Sequence, residues 1–312
     1  MKAILHFISI YFLYCEGAVV TRKNEVNERP IIGILSQEQS YHLKTKYTEE
    51  NYRSYIAASY VKDVEASGAR VVPILVLFPG GATYFNNSNG YADAGQHIYE
   101  IATELNKAGN YFPIFGTCLG FELMIILASG RSEEENRVSC SSYSNRQLHF
   151  DSDFLSSKMF KAAPNDVIHI LQNKQVTVNS HQFCILDENI KSHKLDKQWR
   201  VTSHSTDDNG KEFISSIEHK RYPFYGVQFH PEKSAFEWKA SKSYPHTAEA
   251  IRANRYFMEF FVGECRKNVH SFPSDEEKEY LIYNYQPHYT GLVGSAYLQC
   301  YFFEPRGDVQ RN

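Results

Sequence analysis

Tyr111-Phe-Pro-Ile-Phe-Gly-Thr-Cys-Leu-Gly-Phe-Glu122 is the stretch on which the fold turns. An apolar strand ends at Gly116, Cys118 follows at a tight turn, and Phe121 to Ala128 has the pattern of a helix. Gly-x-Cys-x-Gly is the thiol version of a nucleophile elbow. Glycines two residues to either side of the cysteine relieve the crowding that side chains would cause at so sharp a strand-to-helix turn. The turn lifts the sulfur to a helix N-terminus, where unsatisfied N–H groups and the helix dipole favour thiolate. Taken alone, the stretch also fits a buried structural cysteine after a strand.

Outward from the elbow, strand and helix alternate. Ile31 to Leu35 reads as a buried parallel strand, Tyr55 to Ala66 as a helix stopped by Gly68, and Ala69 to Leu77 as a strand. Pro79-Gly-Gly81 is a turn, and Ile98, Ile101, Ala102 and Leu105 mark another amphipathic helix. Beyond the elbow, Ser129 to Asn145 reads as a polar surface loop. Gln175 to Val178, Phe213 to Ile217 and Tyr225 to Phe229 read as strands, the last stopping at His230-Pro231. Thr247 to Lys267 reads as a helix with Phe257, Phe260 and Phe261 on one side, and a Tyr-rich segment leads to a polar tail. The alternation predicts an α/β fold, a three-layer α/β/α sandwich around a mostly parallel sheet.

Composition narrows the function classes. A 312-residue chain that is 42% hydrophobic can build a substantial core. A formal charge of −3 gives no reason to expect nucleic acid as a partner, and no apolar run is long enough for membrane insertion. Lys2, the apolar run to Tyr14 and the small residues around Gly17 read as a secretory signal over 1–17, followed by a polar arm over 18–30. Cleavage there leaves five cysteines, an odd number that implies at least one free thiol in a secreted protein. No Cys or His spacing matches a metal site, so neither a metal nor another cofactor is expected. Asn86-Asn-Ser88 is an N-glycosylation sequon.

A nucleophilic cysteine needs a base, and the base needs an orienting group. His230 ends a strand, at the sheet edge where α/β folds place their ligands, and Glu232 is spaced to hold its imidazole. Gly116-Thr-Cys-Leu-Gly-Phe-Glu122 together with Gly226-Val-Gln-Phe-His-Pro-Glu232 resembles the class I glutamine amidotransferase-like superfamily. Tyr55-Ile-Ala-Ala-Ser-Tyr-Val-Lys62, Ser67-Gly-Ala-Arg-Val-Val-Pro73, Leu77-Phe-Pro-Gly-Gly81, His-Pro-Glu-Lys233 and Tyr289-Thr-Gly291 bring the resemblance to its γ-glutamyl hydrolase family, over a domain of 31–303 with 304–312 as a tail.

The resemblance implies Cys118 as nucleophile, His230 as general base and acid, and Glu232 as the third member. It implies an oxyanion hole from the N–H groups of Gly81 and Leu119, and substrate contacts from Glu122 and His181. It further implies a folylpoly-γ-glutamate substrate, a homodimer, and a location in the lysosome (vacuole) and the extracellular space. Glutaminase-type amidotransfer uses the same thiol and histidine, and is the alternative activity.

One departure stands out. The resemblance implies a strand, a helix of modest length and a second strand between the Gly-Ala-Arg-Val-Val-Pro and Leu-Phe-Pro-Gly-Gly motifs, whereas Ile74-Leu-Val76 alone separates them in this chain. Parallel neighbours need a crossover of roughly a dozen residues. The expectation is therefore one continuous strand over Val71 to Phe78, or the loss of one segment from its place. The expected consequence is either Gly81 drawn from the oxyanion hole or a sheet short of one strand, and with it a weak enzyme or an inactive binding relative.

Overall fold

The computed structural model describes residues 26–47, 51–73, 76–86, 90–272 and 276–304. The segment read as a secretory signal lies outside them. Eight strands form the central sheet: β1 Ile31–Ile34, β2 Arg70–Val72, β3 Val76–Phe78, β4 Ile114–Thr117, β5 His149–Phe150, β6 Trp199–Thr206, β7 Glu212–His219 and β8 Phe224–Val227. Their order is β2-β1-β3-β4-β8-β7-β6-β5. The run from β2 to β8 is parallel, and β7, β6 and β5 add on antiparallel.

Strand alternation builds the layers. Phe115 and Tyr225 point into one core with helices α1 Ala58–Ala66, α4 Asn165–Asn173 and α5 Ala248–Cys265. Their neighbours Ile114 and Phe224 point into the other, with α2 Tyr91–Lys107 and α3 Leu119–Ser129. Period-two alternation on strands buried from both sides requires two such cores, hence the α/β/α sandwich. α5 opens at Thr247, whose hydroxyl accepts from the N–H of Ala250, and it buries Phe257 and Phe261 completely.

Three sequence expectations are corrected. Tyr55 to Ala57 are not helical: residues 54–57 form a strand in a small sheet, paired with 37–38 and with the distant 299–303, and α1 begins only at Ala58. The segment 129–145 is not all loop. It carries a helical turn at 133–136 and a strand at 138–142, which pairs with 181–184 and is tied to it by the Cys140–Cys184 disulfide. Cys118, Cys265 and Cys300 are free thiols.

The third correction concerns Val71 to Phe78, which is not one strand. β2 and β3 flank β1 on opposite sides, both parallel to it, and both Val72 and Val76 sit opposite Gly33. A crossover helix serves to carry the chain back to the start of the next strand. No return is needed where one strand ends at the level at which the other begins. The chain must move sideways by two strand spacings, roughly 9–10 Å, and four residue steps reach about 13–14 Å. Residues 74–75 lie outside the described ones. The sheet therefore keeps β3, and with it the Pro79-Gly-Gly81 loop.

Candidate active site

Cys118 stands between β4 and α3 with φ 50° and ψ −110°, a region that side chains other than glycine rarely occupy. Such strain costs on the order of 1–3 kcal/mol and persists only where the surroundings hold it. Here the Cys118 N–H donates to Val227 O at 2.8 Å, and the Cys118 carbonyl accepts from Glu122 N at 3.0 Å as the first bond of α3. The flanking glycines are sterically required. A Cβ on Gly116 would lie 2.7 Å from Gly120 O, and one on Gly120 would lie 2.0 Å from Phe78 O.

His230 follows β8, and its backbone N–H donates to Val178 O. Its Nδ1 lies 2.8 Å from Glu232 Oε1 and 3.3 Å from the Tyr60 hydroxyl. With Nδ1–H donating to the Glu232 carboxylate, Nε2 keeps its lone pair and is the basic nitrogen. Gly80 shows that Cys118 and His230 share one pocket: a Cβ there would lie 2.6 Å from His230 Cε1 and 3.1 Å from Cys118 Cβ. Cys118, His230 and Glu232 are all buried.

The loop over this pair is held at the Pro79 and Gly80 peptide oxygens. Tyr91 Oη and Gln37 Nε2 both donate to Pro79 O at 2.9 Å, and Tyr297 Oη donates to Gly80 O at 3.0 Å. The Gly80 N–H donates to Tyr60 Oη at 2.8 Å. Gly81 packs on Gln37, and its N–H has no acceptor among the described residues. The Leu119 N–H donates toward Cys118 Sγ. The Leu119 N–H, at the start of α3, is thus the backbone donor beside the sulfur.

Burial holds the Cys118 thiol well above its ordinary value. The Glu122 carboxylate adds to this, and Lys233 and the Leu119 N–H oppose it. Desolvation therefore outweighs the helix N-terminus, contrary to the thiolate expected from the sequence. Burial, helped by Lys233, also lowers His230 against the pull of Glu232. Both shifts favour the neutral thiol and the neutral imidazole.

Glu122 reaches the site from the first turn of α3. Its Oε1 accepts from Gln228 Nε2 at 2.9 Å and its Oε2 from Arg137 Nη1 at 2.6 Å. The Arg137 guanidinium lies over the rings of Phe85 and Phe183. His181 is buried with Nδ1 2.9 Å from Phe183 O and Nε2 3.1 Å from Asn179 Oδ1, edge-on to Phe213. Burial brings it down to about 4, so it is neutral, and both its nitrogens face oxygens of its own segment. Asn86 is exposed, and the other residues of its sequon lie outside the described ones. Among the described residues no His, Cys, Asp and Glu group could hold a metal, and no helix is long and apolar enough to cross a membrane.

The class-I glutamine amidotransferase family matches residues 75–243. Gamma-glutamyl hydrolase of Homo sapiens is 38% identical over 299 residues, covering 89% of this chain and 90% of that one. The Bos taurus gamma-glutamyl hydrolase is 40% identical over 296 residues, covering 89% and 90%. The chain belongs to the γ-glutamyl hydrolase family. The likeness extends to gamma-glutamyl hydrolase B of Dictyostelium discoideum, 37% identical over 287 residues with 86% and 81% covered.

Sequence reading of this family member passed over Tyr60, Gln37, Gln228, Arg137, Lys233 and Tyr297. Tyr60, Gln228 and Lys233 lie inside the motifs quoted above, so their signal was present. Tyr297 enters through the long-range pairing of 299–303 with 54–57, which no local pattern announces.

Proposed function

We propose that this protein hydrolyses γ-glutamyl bonds of folylpoly-γ-glutamates through a thioester on Cys118. The observation that carries the reading is the meeting of Cys118 and His230 at Gly80, with Glu232 behind the imidazole; the resemblance adds the Gly81 and Leu119 N–H groups as oxyanion donors. His230 Nε2 takes the thiol proton as sulfur attacks the γ-carbonyl. The two N–H groups receive the oxyanion, an interaction whose loss typically costs ~10²–10³ in turnover. His230 then protonates the leaving amine and activates the water that frees the acyl group. A neutral thiol–imidazole pair needs the base at the moment of attack, so His230 is required for acylation itself.

The signal-like start, the Asn86 sequon and the disulfide support passage through the secretory route to the lysosome or the extracellular space. Burial lowers the His230 pKa, in the direction that keeps its base form as the pH falls.

The test is glutamate release from a pteroyl-poly-γ-glutamate beside ammonia release from glutamine, for the natural chain and Cys118→Ala. The expected result is glutamate release by the natural chain only, with substrate still bound by the alanine variant. Ammonia release as the faster reaction, or hydrolysis retained in Cys118→Ala, overturns the proposal.

A further inference from the structure

A row of side chains runs from the wall of the site to the thiol. Arg137 Nη1 donates to Glu122 Oε2 at 2.6 Å, Gln228 Nε2 donates to Glu122 Oε1 at 2.9 Å, and the same Nε2 lies 3.9 Å from Cys118 Sγ. Glu122 and Gln228 are buried. A carboxylate in that place works against the nucleophile: of the charges around the thiol, Glu122 acts most strongly, and it opposes thiolate. Arg137 is what meets this charge. Its other arm pairs with Glu133, and it lies against the rings of Phe85 and Phe183 with a side chain only 11% exposed. With two carboxylates already on it, the guanidinium is not a seat for a substrate carboxylate.

Burial pushes the Glu122 carboxyl up, and Arg137 is the largest influence holding it down. An ionised carboxylate only accepts hydrogen bonds. Gln228 must therefore turn its nitrogen, not its oxygen, to Glu122. That nitrogen also faces the sulfur, while Gln228 Oε1 has no donor among the described residues. We infer that Arg137 is a positioning residue: by pairing with Glu122 it makes that carboxylate an acceptor, and so fixes the Gln228 amide with N–H toward Cys118 Sγ, where it stabilises the thiolate formed as His230 takes the proton. Hydrogen bonds to an ionised partner are shorter and stronger than neutral ones, so the contact tightens as the charge develops. Without the guanidinium, both states of Glu122 work against the sulfur. As a carboxylate it stands uncompensated beside the thiol. As an acid it becomes a donor, and the amide turns its oxygen to meet it.

The inference rests on Cys118 being the nucleophile of the proposed hydrolysis, and a probe other than substrate keeps the two apart. The full-length protein, Arg137→Met, Gln228→Met and the double variant are treated with iodoacetamide at one pH. Labelling of the Cys118 peptide is followed by mass spectrometry, and near-UV circular dichroism checks the fold. Gln228→Met should slow labelling by about 10- to 100-fold, the loss of a hydrogen bond to a charged group. Arg137→Met should lose a like factor, and the double variant no more than either, because the arginine acts through the amide. On a pteroyl-poly-γ-glutamate the same variants should lose kcat with KM within about twofold. Labelling of Arg137→Met at the natural rate overturns the inference, as do losses that multiply in the double variant. Should Arg137→Met fail to fold, Arg137→Lys, which keeps the charge without the two-armed fork, is run with and without Gln228→Met. A loss confined to the background that retains Gln228 supports the inference; an equal loss in both, or none in either, overturns it. A natural chain that labels at Cys118 but cleaves no γ-glutamyl bond refutes the parent reading instead.

Discussion

The two connections beside the nucleophile are built on opposite terms. The elbow between β4 and α3 is specified by its own residues, Gly116 and Gly120, because any Cβ at either would strike backbone. The link from β2 to β3, Pro73 to Leu75, contains no glycine. What sets it is the register of both strands against Gly33 of β1. The elbow also reaches across, since Gly120 packs on the carbonyl of Phe78 at the end of β3. The Pro79-Gly81 loop therefore takes its place from the elbow below it and from Tyr60, Tyr91, Tyr297 and Gln37 around it, rather than from the short link before it. A catalytic loop can keep its geometry when the chain leading to it is cut back, provided its position is held by packing on its far side.

The sharpest way to break this comparison is Gly120→Val. The added Cβ meets Phe78 O at 2.0 Å, and neither backbone can yield without moving Cys118 or the loop. Misplacing reacting groups by an ångström costs about 10²-fold, and moving the Leu119 donor as well costs more, so kcat/KM should fall by roughly 10³-fold or beyond. Gly263→Ala in α5 is the matched control: nothing lies within 4 Å of its Cβ, and a helical Gly→Ala change is worth about 0.5–1 kcal/mol of added stability. Equal activity losses in the two variants would mean that glycine at the elbow is not a steric requirement.

The same contrast explains what was legible beforehand. The elbow, the turn at Pro79 and the strand ending at His230 are read from neighbours in sequence, because local sterics decide them. Tyr55 to Ala57 misled because their apolar spacing fits a helix, while 299–303, far along the chain, offers them an edge to pair with. The strand 138–142 was hidden in a polar run because its partner is 181–184 and its tie is a disulfide. The helix N-terminus that favours thiolate is visible in sequence, whereas the burial of Cys118 that opposes it is not.

That disulfide is a third kind of link, neither local nor set by register alone. It joins positions 44 residues apart and holds the strand leading from Arg137 against the strand that begins at His181. Replacing both Cys140 and Cys184 by serine should cost about 3 kcal/mol, seen as a lower urea midpoint. An unchanged midpoint would show that strand pairing suffices. A smaller effect belongs to the elbow's chemistry. The proposed base, His230, can act only when unprotonated, and burial lowers its pKa. The acid limb of kcat/KM should therefore fall below the ordinary imidazole value of about 6.5, and Glu232→Gln should push it lower still while reducing the rate. An acid limb at or above the ordinary value would mean that Glu232 outweighs burial.

The smallest effect concerns the short link. If the register against Gly33 sets β2 and β3, then lengthening their connection changes only the entropy of closing it. Inserting Gly-Ser-Gly after Pro73 doubles the 73–75 stretch, and each doubling of a flexible loop costs about 0.6 kcal/mol. Stability should drop by no more than that, and kcat/KM should stay within about threefold. Hydrogen exchange adds the local view, because β2 and β3 are three residues long and β2 is an edge strand with one neighbour. Val71 and Val72 should exchange faster than Phe115 and Gly116, which lie between two paired strands, in both proteins alike. A large gain in activity on insertion would reverse the comparison: the link would then be distorting the loop, and the elbow would not be what holds it.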